Sequence, residues 1–262
     1  MTDPYYDVQG SGPVLLVHPG GAGHPMGLEP LAQALADRFT VVTCDPLGLA
    51  HGRLGSPVDD QRVEEWSDNA RRVLDRVLPD GESAFVLGTS AGAVVALDLL
   101  ARHPERVRHV VAHEPPCVGL LPDGPRRRAM FREVYDTYRA AGPRAAAVRM
   151  TAGLTDQPVP ALPPGQPLTR EEELGTPAAL FLAHVLLPFT SYDPDLTALA
   201  SAPLTLAAGT DSHRQLLYRT AEFVAEKTGV PFTEFPGGHL GALQHPRAFA
   251  DRLTETLLGS TS

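Results

Sequence analysis

The most constraining feature of the sequence is the stretch Gly88-Thr89-Ser90-Ala91-Gly92, which lies between a predicted strand and a predicted helix. A serine on so sharp a turn has strained backbone angles, and glycines two residues before and after it let neighbouring chains approach. The stretch therefore predicts a nucleophile, Ser90, at the amino end of a helix. There, free N–H groups and the helix dipole favour developing negative charge.

Short β-rich runs alternate with amphipathic stretches along most of the chain. Predicted strands cover Pro13–His18, Thr40–Cys44, Ser83–Leu87, Val107–Ala112, Pro203–Ala207 and Pro231–Phe235. Predicted helices cover Leu28–Asp37, Val63–Leu78, Ala91–Arg102 and Pro246–Leu258. Several strands are apolar almost throughout, which is typical of strands buried on both faces. Strand alternating with helix predicts an α/β fold built on a parallel sheet with right-handed crossovers.

The alternation breaks between Cys117 and Ser201, where helical patterns occur without a convincing strand. Five prolines within residues 157–167 exclude a helix in that part of the stretch. We therefore expect residues 1–116 and 202–262 to form the α/β core, and residues 117–201 to form a helical cap or lid over it.

The predicted cap contains an apolar run, residues 178–189, in a helix that opens at Thr176-Pro177 with proline in the first helical position. Phe181 and Phe189 belong to this run. If the cap covers Ser90, these two rings are candidate substrate-binding residues.

A serine hydroxyl needs a base to act as a nucleophile, and the base needs an acid to orient it. His239 is the favoured base among ten histidines because it follows the last predicted strand, at the edge where loops of a parallel sheet gather. Asp211 is the favoured acid, since it follows a strand and lies between Ser90 and His239 in the chain. Glu114 also ends a strand and stays open as the alternative.

An oxyanion hole needs two N–H donors aimed at the oxygen of the tetrahedral intermediate. The residue after the nucleophile, Ala91, is one predicted donor. The other should come from the glycine-rich turn at residues 18–23, and because Pro19 has no N–H it is Gly20 or Gly21. This turn is not a phosphate loop, since it lacks the Lys-Ser/Thr pair and the G-x-G-x-x-G spacing.

Composition and charge narrow the classes of function. Lys and Arg total 22 against 31 Asp and Glu, a formal net charge of −9, which speaks against nucleic acid or an anionic membrane as partner. No window approaches the length of an apolar membrane span. Two cysteines, Cys44 and Cys117, build no disulfide framework, and no Cys/His cluster suggests a metal. The amino end does not look like a signal peptide, so we expect a cytoplasmic location.

Five features together resemble the alpha/beta-hydrolase superfamily over nearly the whole chain. They are the strand followed by His-Pro-Gly-Gly at residues 18–21, the strand ending at Asp45, the stretch around Ser90, the strand-end Asp211 and the late His239. The resemblance implies a mostly parallel sheet of roughly eight strands flanked by helices, with a helical cap. It also implies a serine nucleophile and neither a metal nor an organic cofactor.

The sequence departs from the family pattern in two places. Many relatives have His-Gly where this chain has His18-Pro19. Many also carry Asp-x-Arg-Gly-x-Gly-x-Ser where residues 45–52 read Asp-Pro-Leu-Gly-Leu-Ala-His-Gly. The arginine and serine are missing, and His51 stands in their neighbourhood as a candidate substrate-binding residue.

We therefore predict a serine hydrolase that cleaves an ester, lactone or thioester of a small molecule through an acyl-enzyme on Ser90. One alternative is a cofactor-independent cyclase or C–C bond-cleaving enzyme on the same scaffold. Another is a binding receptor without turnover, against which the set of Ser90, His239 and Asp211 argues. The sequence is compatible with a monomer or a homodimer, and it does not identify the substrate, because the cap shapes the pocket.

Overall fold

The computed structural model describes residues 4–21, 28–49 and 57–259, and its centre is a sheet of seven strands. The strands are β1 (Tyr5–Gly10), β2 (Val14–His18), β3 (Thr40–Asp45), β4 (Ala84–Thr89), β5 (Val107–His113), β6 (Leu204–Gly209) and β7 (Phe232–Phe235). Their order across the sheet is β1-β3-β2-β4-β5-β6-β7, and all neighbours are parallel except β1 and β3. The predicted α/β class with a mostly parallel sheet is confirmed, with seven strands among the described residues where the resemblance implied roughly eight.

Helices cover both faces of this sheet. They are α1 (Glu29–Leu35), α2 (Val63–Val77), α3 (Ala91–Arg102), α4 (Gly124–Leu154), α5 (Arg170–Leu174), α6 (Pro177–Leu180), α7 (Leu186–Thr190), α8 (Leu196–Leu199), α9 (Leu216–Thr228), α10 (Gly241–Gln244) and α11 (Pro246–Leu258). The core on one face includes side chains of α2, α3 and α9, and the core on the other includes those of α1 and α11. The central strands are therefore buried on both sides, which explains their continuous apolar runs.

β1 is the strand that the sequence pattern did not predict. Tyr5 and Tyr6 are half-buried, and the next four residues are exposed. As an edge strand, β1 is hydrogen-bonded on one side only, to β3. Because little of it faces the core, it lacks the apolar run by which the other strands were recognised.

Residues 117–201, between β5 and β6, contain helices and no strand. The long helix α4 is kinked at Gly142, ahead of Pro143, and residues 157–167 are non-helical. A π-helical turn, Phe181–Val185, separates α6 from α7. These elements share a small hydrophobic core with the start of α9, and Phe131, Leu182 and Leu217 belong to it. We refer to residues 117–201 as the helical segment.

Two fully buried histidines flank the end of β4. His18 is in register with Gly88, and His113 is in register with Thr89. The His18 ring stacks on Trp66 with 5.7 Å between ring centroids. Burial lowers the pKa of both imidazoles to about 4. Both rings are therefore neutral at pH 7 and belong to the core.

The buried His113 makes folding sensitive to acid. Its pKa is 6.5 in the unfolded chain and about 4 in the folded one, so the unfolded chain binds the extra proton as the pH falls through this window. The free energy of unfolding should fall by about 2 kcal/mol at pH 5 from this group alone. His113→Phe, which keeps a ring against Phe235 and Phe249, removes this contribution. In urea denaturation, the free energy of unfolding should fall between pH 7 and pH 5 by about 2 kcal/mol more for the wild type than for the variant. An equal fall for both proteins would contradict a neutral His113.

Candidate active site

Ser90 lies between β4 and α3 in a strained backbone conformation. Its φ of 54° and ψ of −122° are rare for a residue other than glycine. The Ser90 N–H donates to the carbonyl oxygen of His113 at 2.9 Å, which ties the turn to the end of β5. The turn that the sequence predicted is therefore present, with the serine at the amino end of a twelve-residue helix.

The glycines around this serine are required by close approach of the backbone. A Cβ atom on Gly92 would lie 2.3 Å from the carbonyl oxygens of His18 and Pro19. A Cβ atom on Gly88 would lie 2.4 Å from the carbonyl oxygen of Gly92. Both contacts are with backbone, which cannot rotate away, so a side chain at either position would force β2, β4 and α3 apart.

His239 lies in the turn between β7 and α10, and its ring pairs with a carboxylate from another strand. The Nδ1 atom of His239 is 2.7 Å from Oε2 of Glu114, the residue that follows β5. The glutamate side chain is 1% exposed, whereas the histidine side chain is 27% exposed. The carboxylate is thus buried, and the imidazole that it contacts is partly exposed.

The structure gives Glu114 the place that the sequence favoured for Asp211. Asp211 is exposed, and its carboxylate makes no hydrogen bond or ion pair with another described residue. Its backbone N–H instead donates to the carbonyl oxygen of Gly237, in the turn that carries His239. The expectation of a Ser-His-Asp arrangement is therefore corrected to one in which Glu114 faces the histidine.

The backbone of Glu114 explains how a residue from β5 reaches a histidine that follows β7. Its φ is 50°, so the chain turns sharply at the end of the strand. The side chain then passes the end of β6, where Oε1 accepts a hydrogen bond from the Gly209 N–H at 2.9 Å. Oε1 also accepts a hydrogen bond from the hydroxyl of Ser212. Glutamate is one methylene longer than aspartate, which makes this reach feasible.

Electrostatics keep the Glu114 carboxylate charged. Burial raises the pKa of Glu114, but the hydrogen bond and charge of His239 and the hydrogen bond from Ser212 lower it by more. The resulting pKa lies well below the ordinary value of 4.5. At neutral pH the group is therefore a carboxylate, which can accept a hydrogen bond from Nδ1 of His239.

Ser90 and His239 line one cavity of about 270 Å³. No hydrogen bond joins these two described side chains. The helical segment supplies much of the wall, including Phe181 and Phe189, both predicted to contact substrate. The polar side chains among the described lining residues are those of Ser90, His239 and two threonines, Thr89 and Thr190, and no Asp, Glu, Lys or Arg is among them. The described wall of the cavity is therefore mostly apolar.

The three predicted oxyanion-hole residues, Gly20, Gly21 and Ala91, also line this cavity. Ala91 is the first residue of α3, so its N–H has no acceptor within the helix. Gly20 lies beside the serine, because an added Cβ would be 3.6 Å from the Cβ of Ser90. Gly21 lies under the ring of Phe181, which an added Cβ would approach to 2.2 Å.

The described residues hold no cluster of three or more His, Cys, Asp and Glu side chains that could ligate a metal ion. None of their helices combines the length and the apolar character that a membrane span requires.

His51, the remaining predicted substrate-binding residue, lies outside the described part of the chain.

Comparison with known proteins assigns the chain to a family. A model of the alpha/beta hydrolase family matches residues 14–252. This protein is an alpha/beta hydrolase. It is 34% identical over 260 residues to an uncharacterized hydrolase, YraK, of Bacillus subtilis, which covers 97% of this chain and 92% of the relative. It is 25% identical over 256 residues to the zearalenone hydrolase of Cladophialophora bantiana, and the match covers 96% of this chain and 91% of that relative.

Solved structures share the fold of this alpha/beta hydrolase at low sequence identity. A thermophilic esterase from Thermogutta terrifontis matches with a TM-score of 0.69 and 16% identity, over 97% of this chain and 93% of that one. An enol-lactonase from Burkholderia xenovorans LB400 matches with a TM-score of 0.61 and 16% identity, over 97% of this chain and 96% of that one. Family membership and the hydrolase relatives make this protein a hydrolase, and a hydrolase of this family implies a small-molecule substrate.

The contact between Gly21 and Phe181 leads to a prediction on stability. Gly21→Ala should lower the free energy of unfolding by about 1–3 kcal/mol, because the new methyl group overlaps the ring. Gly20→Ala is the matched control, since the same methyl group there meets atoms at ordinary contact distance. Thermal and urea unfolding of both variants measure the difference.

A second variant separates this overlap from a general intolerance of side chains at position 21. Adding Phe181→Ala to Gly21→Ala removes the ring that the methyl group meets, so Gly21→Ala should cost much less stability in the Phe181→Ala background than in the wild type. Equal effects of Gly20→Ala and Gly21→Ala, or a full additional loss in the double variant, would show that the ring does not lie on Gly21.

Proposed function

We propose that this protein is a serine hydrolase that cleaves an uncharged, apolar ester, lactone or thioester through an acyl-enzyme on Ser90. The observation that carries the proposal is the 2.7 Å contact between His239 and Glu114 at the wall of the cavity that Ser90 also lines. The proposed nucleophile, on its strained turn, and the proposed base thus line the same cavity, and the buried acid contacts the base from behind. The esterase, the enol-lactonase and the zearalenone hydrolase among the similar proteins agree with this class of reaction.

Acylation begins with attack of the Ser90 hydroxyl oxygen on the carbonyl carbon of the substrate. His239 takes the hydroxyl proton at Nε2 while its Nδ1–H donates to Glu114. In catalytic sites the contact between nucleophile and base often tightens only in the complex with substrate. The imidazolium then gives its proton to the leaving oxygen or sulfur, the bond from the carbonyl carbon to that atom breaks, and the acyl group stays on Ser90.

The tetrahedral intermediate carries a negative oxygen, for which two N–H donors are available. We assign one to Ala91, at the start of α3, and the other to Gly20 or Gly21 in the turn after β2. Backbone donors held by a strand end and a helix end need little reorganisation as the charge develops. The dipole of α3 adds to their effect.

Deacylation reverses the roles with water as the nucleophile. His239 removes a proton from water, the hydroxide attacks the acyl carbon, and the Ser90 oxygen leaves and regains a proton from the imidazolium. The products are a carboxylic acid and, for an ester, a free alcohol. For a lactone, the acid and the alcohol remain one molecule.

The helical segment is proposed to act as the cap that selects the substrate. Phe131, Met150 and Leu154 of α4, together with Phe181 and Phe189, form an apolar part of the cavity wall. Because the described wall has no Asp, Glu, Lys or Arg to pair with an ionic substrate, we propose that neutral acyl groups are preferred. The cytoplasmic location, the monomeric or homodimeric state and the role of His51 remain predictions from the sequence.

Covalent labelling tests the nucleophile. A fluorophosphonate should form one adduct on Ser90, located by mass spectrometry of peptides, because an activated serine attacks phosphorus as it attacks a carbonyl carbon. Ser90→Ala should abolish the adduct and lower kcat on p-nitrophenyl butyrate by several orders of magnitude. Ser191→Ala, which removes an exposed hydroxyl from the helical segment, is the control and should match the wild type. An adduct on another residue of an active protein would overturn the proposal.

Paired amide substitutions test which carboxylate orients His239. Glu114→Gln should lower kcat by a factor on the order of 10³–10⁴ with the fold intact, because the amide cannot stabilise the imidazolium. Asp211→Asn should change kcat by less than about tenfold, which is about 1.4 kcal/mol. Both variants are compared at saturating p-nitrophenyl butyrate, with circular dichroism as the check on folding. The reverse order of effects would restore Asp211 as the acid.

A further inference from the structure

We infer that Ser212 is a positioning residue for the proposed hydrolysis: its hydroxyl clamps the Glu114 carboxylate so that the other carboxylate oxygen faces His239. The inference rests on the proposed function and assigns a task to the loop after β6. The sequence favoured Asp211, in this same loop, as the acid. The inferred role of the loop is to hold the acid that β5 supplies.

The hydrogen bonds of Ser212 define the clamp. Ser212 is 2% exposed, and its Oγ contacts both Oε1 of Glu114 and, at 3.0 Å, the carbonyl oxygen of Gly209. A hydroxyl carries one proton, so it donates fully to one of these acceptors. The charged carboxylate is the stronger acceptor and takes it. With the Gly209 N–H, Oε1 then has two donors, and Oε2 is left for the Nδ1–H of His239.

A glutamate in this position needs such a clamp more than an aspartate would. Its carboxylate has three side-chain torsions to fix, and the backbone of Glu114 is in the left-handed region. The carboxylate is 1% exposed, so water cannot hold the oxygen that faces away from the histidine. Its described hydrogen-bond partners are His239, the Gly209 N–H and the Ser212 hydroxyl. Of the two donors on Oε1, Ser212 is the one that a side-chain substitution removes.

A structural role is the competing explanation for the same hydroxyl. Ser212 sits in a short 3-10 turn between β6 and α9, and its carbonyl oxygen accepts the N–H of Gln215. If the hydroxyl only stabilised this turn through Gly209, its removal would lower stability and leave the chemistry intact. The test therefore has to follow the path from Ser212 through Glu114 to His239.

Steady-state kinetics on p-nitrophenyl butyrate provide the first measurement. Ser212→Ala should lower kcat by about tenfold, about 1.4 kcal/mol, with KM within about twofold of the wild type, because Ser212 is buried and is not among the described residues that line the cavity. Thr228→Val is the matched control: it removes another buried hydroxyl, which donates within α9 to the carbonyl oxygen of Val224. Its kcat should equal that of the wild type. Equal kcat values for Ser212→Ala and the wild type would overturn the inference.

A double-mutant cycle shows whether Ser212 acts through Glu114. In a Glu114→Ala background there is no carboxylate to position, so adding Ser212→Ala should change kcat by less than about twofold. A further tenfold loss would mean that Ser212 acts independently of Glu114, and the inference would fail. Melting temperatures of the same four proteins separate the effect of each substitution on stability from its effect on catalysis.

Two measurements that need no substrate distinguish failure of this inference from failure of the proposed function. If the fluorophosphonate labels Ser90 in the wild type and in Ser212→Ala at the same rate, the hydrolase proposal survives and the clamp does not. If the wild type is neither labelled nor active, the proposed function fails. Proton NMR still tests the clamp, because the Nδ1–H of His239 on Glu114 should give a low-field resonance in the wild type and in Thr228→Val. That resonance should be lost or broadened in Ser212→Ala, and an unchanged resonance would overturn the inference.

Discussion

The close approach of β2, β4 and α3 behind Ser90 is the constraint on which the rest of the site depends. Gly92 packs directly on the carbonyl oxygens that follow β2, and Gly88 packs on the first turn of α3. This packing holds Ser90 in a strained conformation at a helix end. The same contact brings the turn after β2, with Gly20, beside the serine. Nucleophile and proposed oxyanion donors are therefore positioned by one piece of backbone packing.

The proposed acid and base depend on a second property of the sheet, the alignment of its parallel strands. Glu114 follows β5, Ser212 follows β6 and His239 follows β7, and these three strands are neighbours. Because parallel strands end at the same edge, three residues far apart in the chain meet there. Each strand end contributes one part: the carboxylate, its hydrogen-bond donor and the imidazole. The buried carboxylate is stable because hydrogen bonds replace the water it has lost.

The helical segment adds an apolar wall to the cavity, and this wall contacts the glycine-rich turn after β2. The ring of Phe181 lies on Gly21 and also lines the cavity. Phe181 begins the π-helical turn between α6 and α7, and turns of this kind often occur at functional sites, where they shift side chains from their regular helical positions. The residues proposed for substrate selection and for transition-state stabilisation are thus adjacent in space, although residues 21 and 181 are far apart in sequence. This adjacency is a property of the fold.

The sequence by itself determined the features that depend on local patterns. The strand-turn-helix around Ser90, the alternation that defines the α/β fold and the helical segment at residues 117–201 all follow from residue type and spacing. β1 could not be predicted in this way, because an edge strand with four exposed residues lacks an apolar run. Only the tertiary structure shows which of Asp211 and Glu114 contacts His239, since both end strands at the same edge of the sheet. The contact depends on a positive φ at Glu114 and on the reach of its side chain past β6 to His239, and neither is encoded in local spacing.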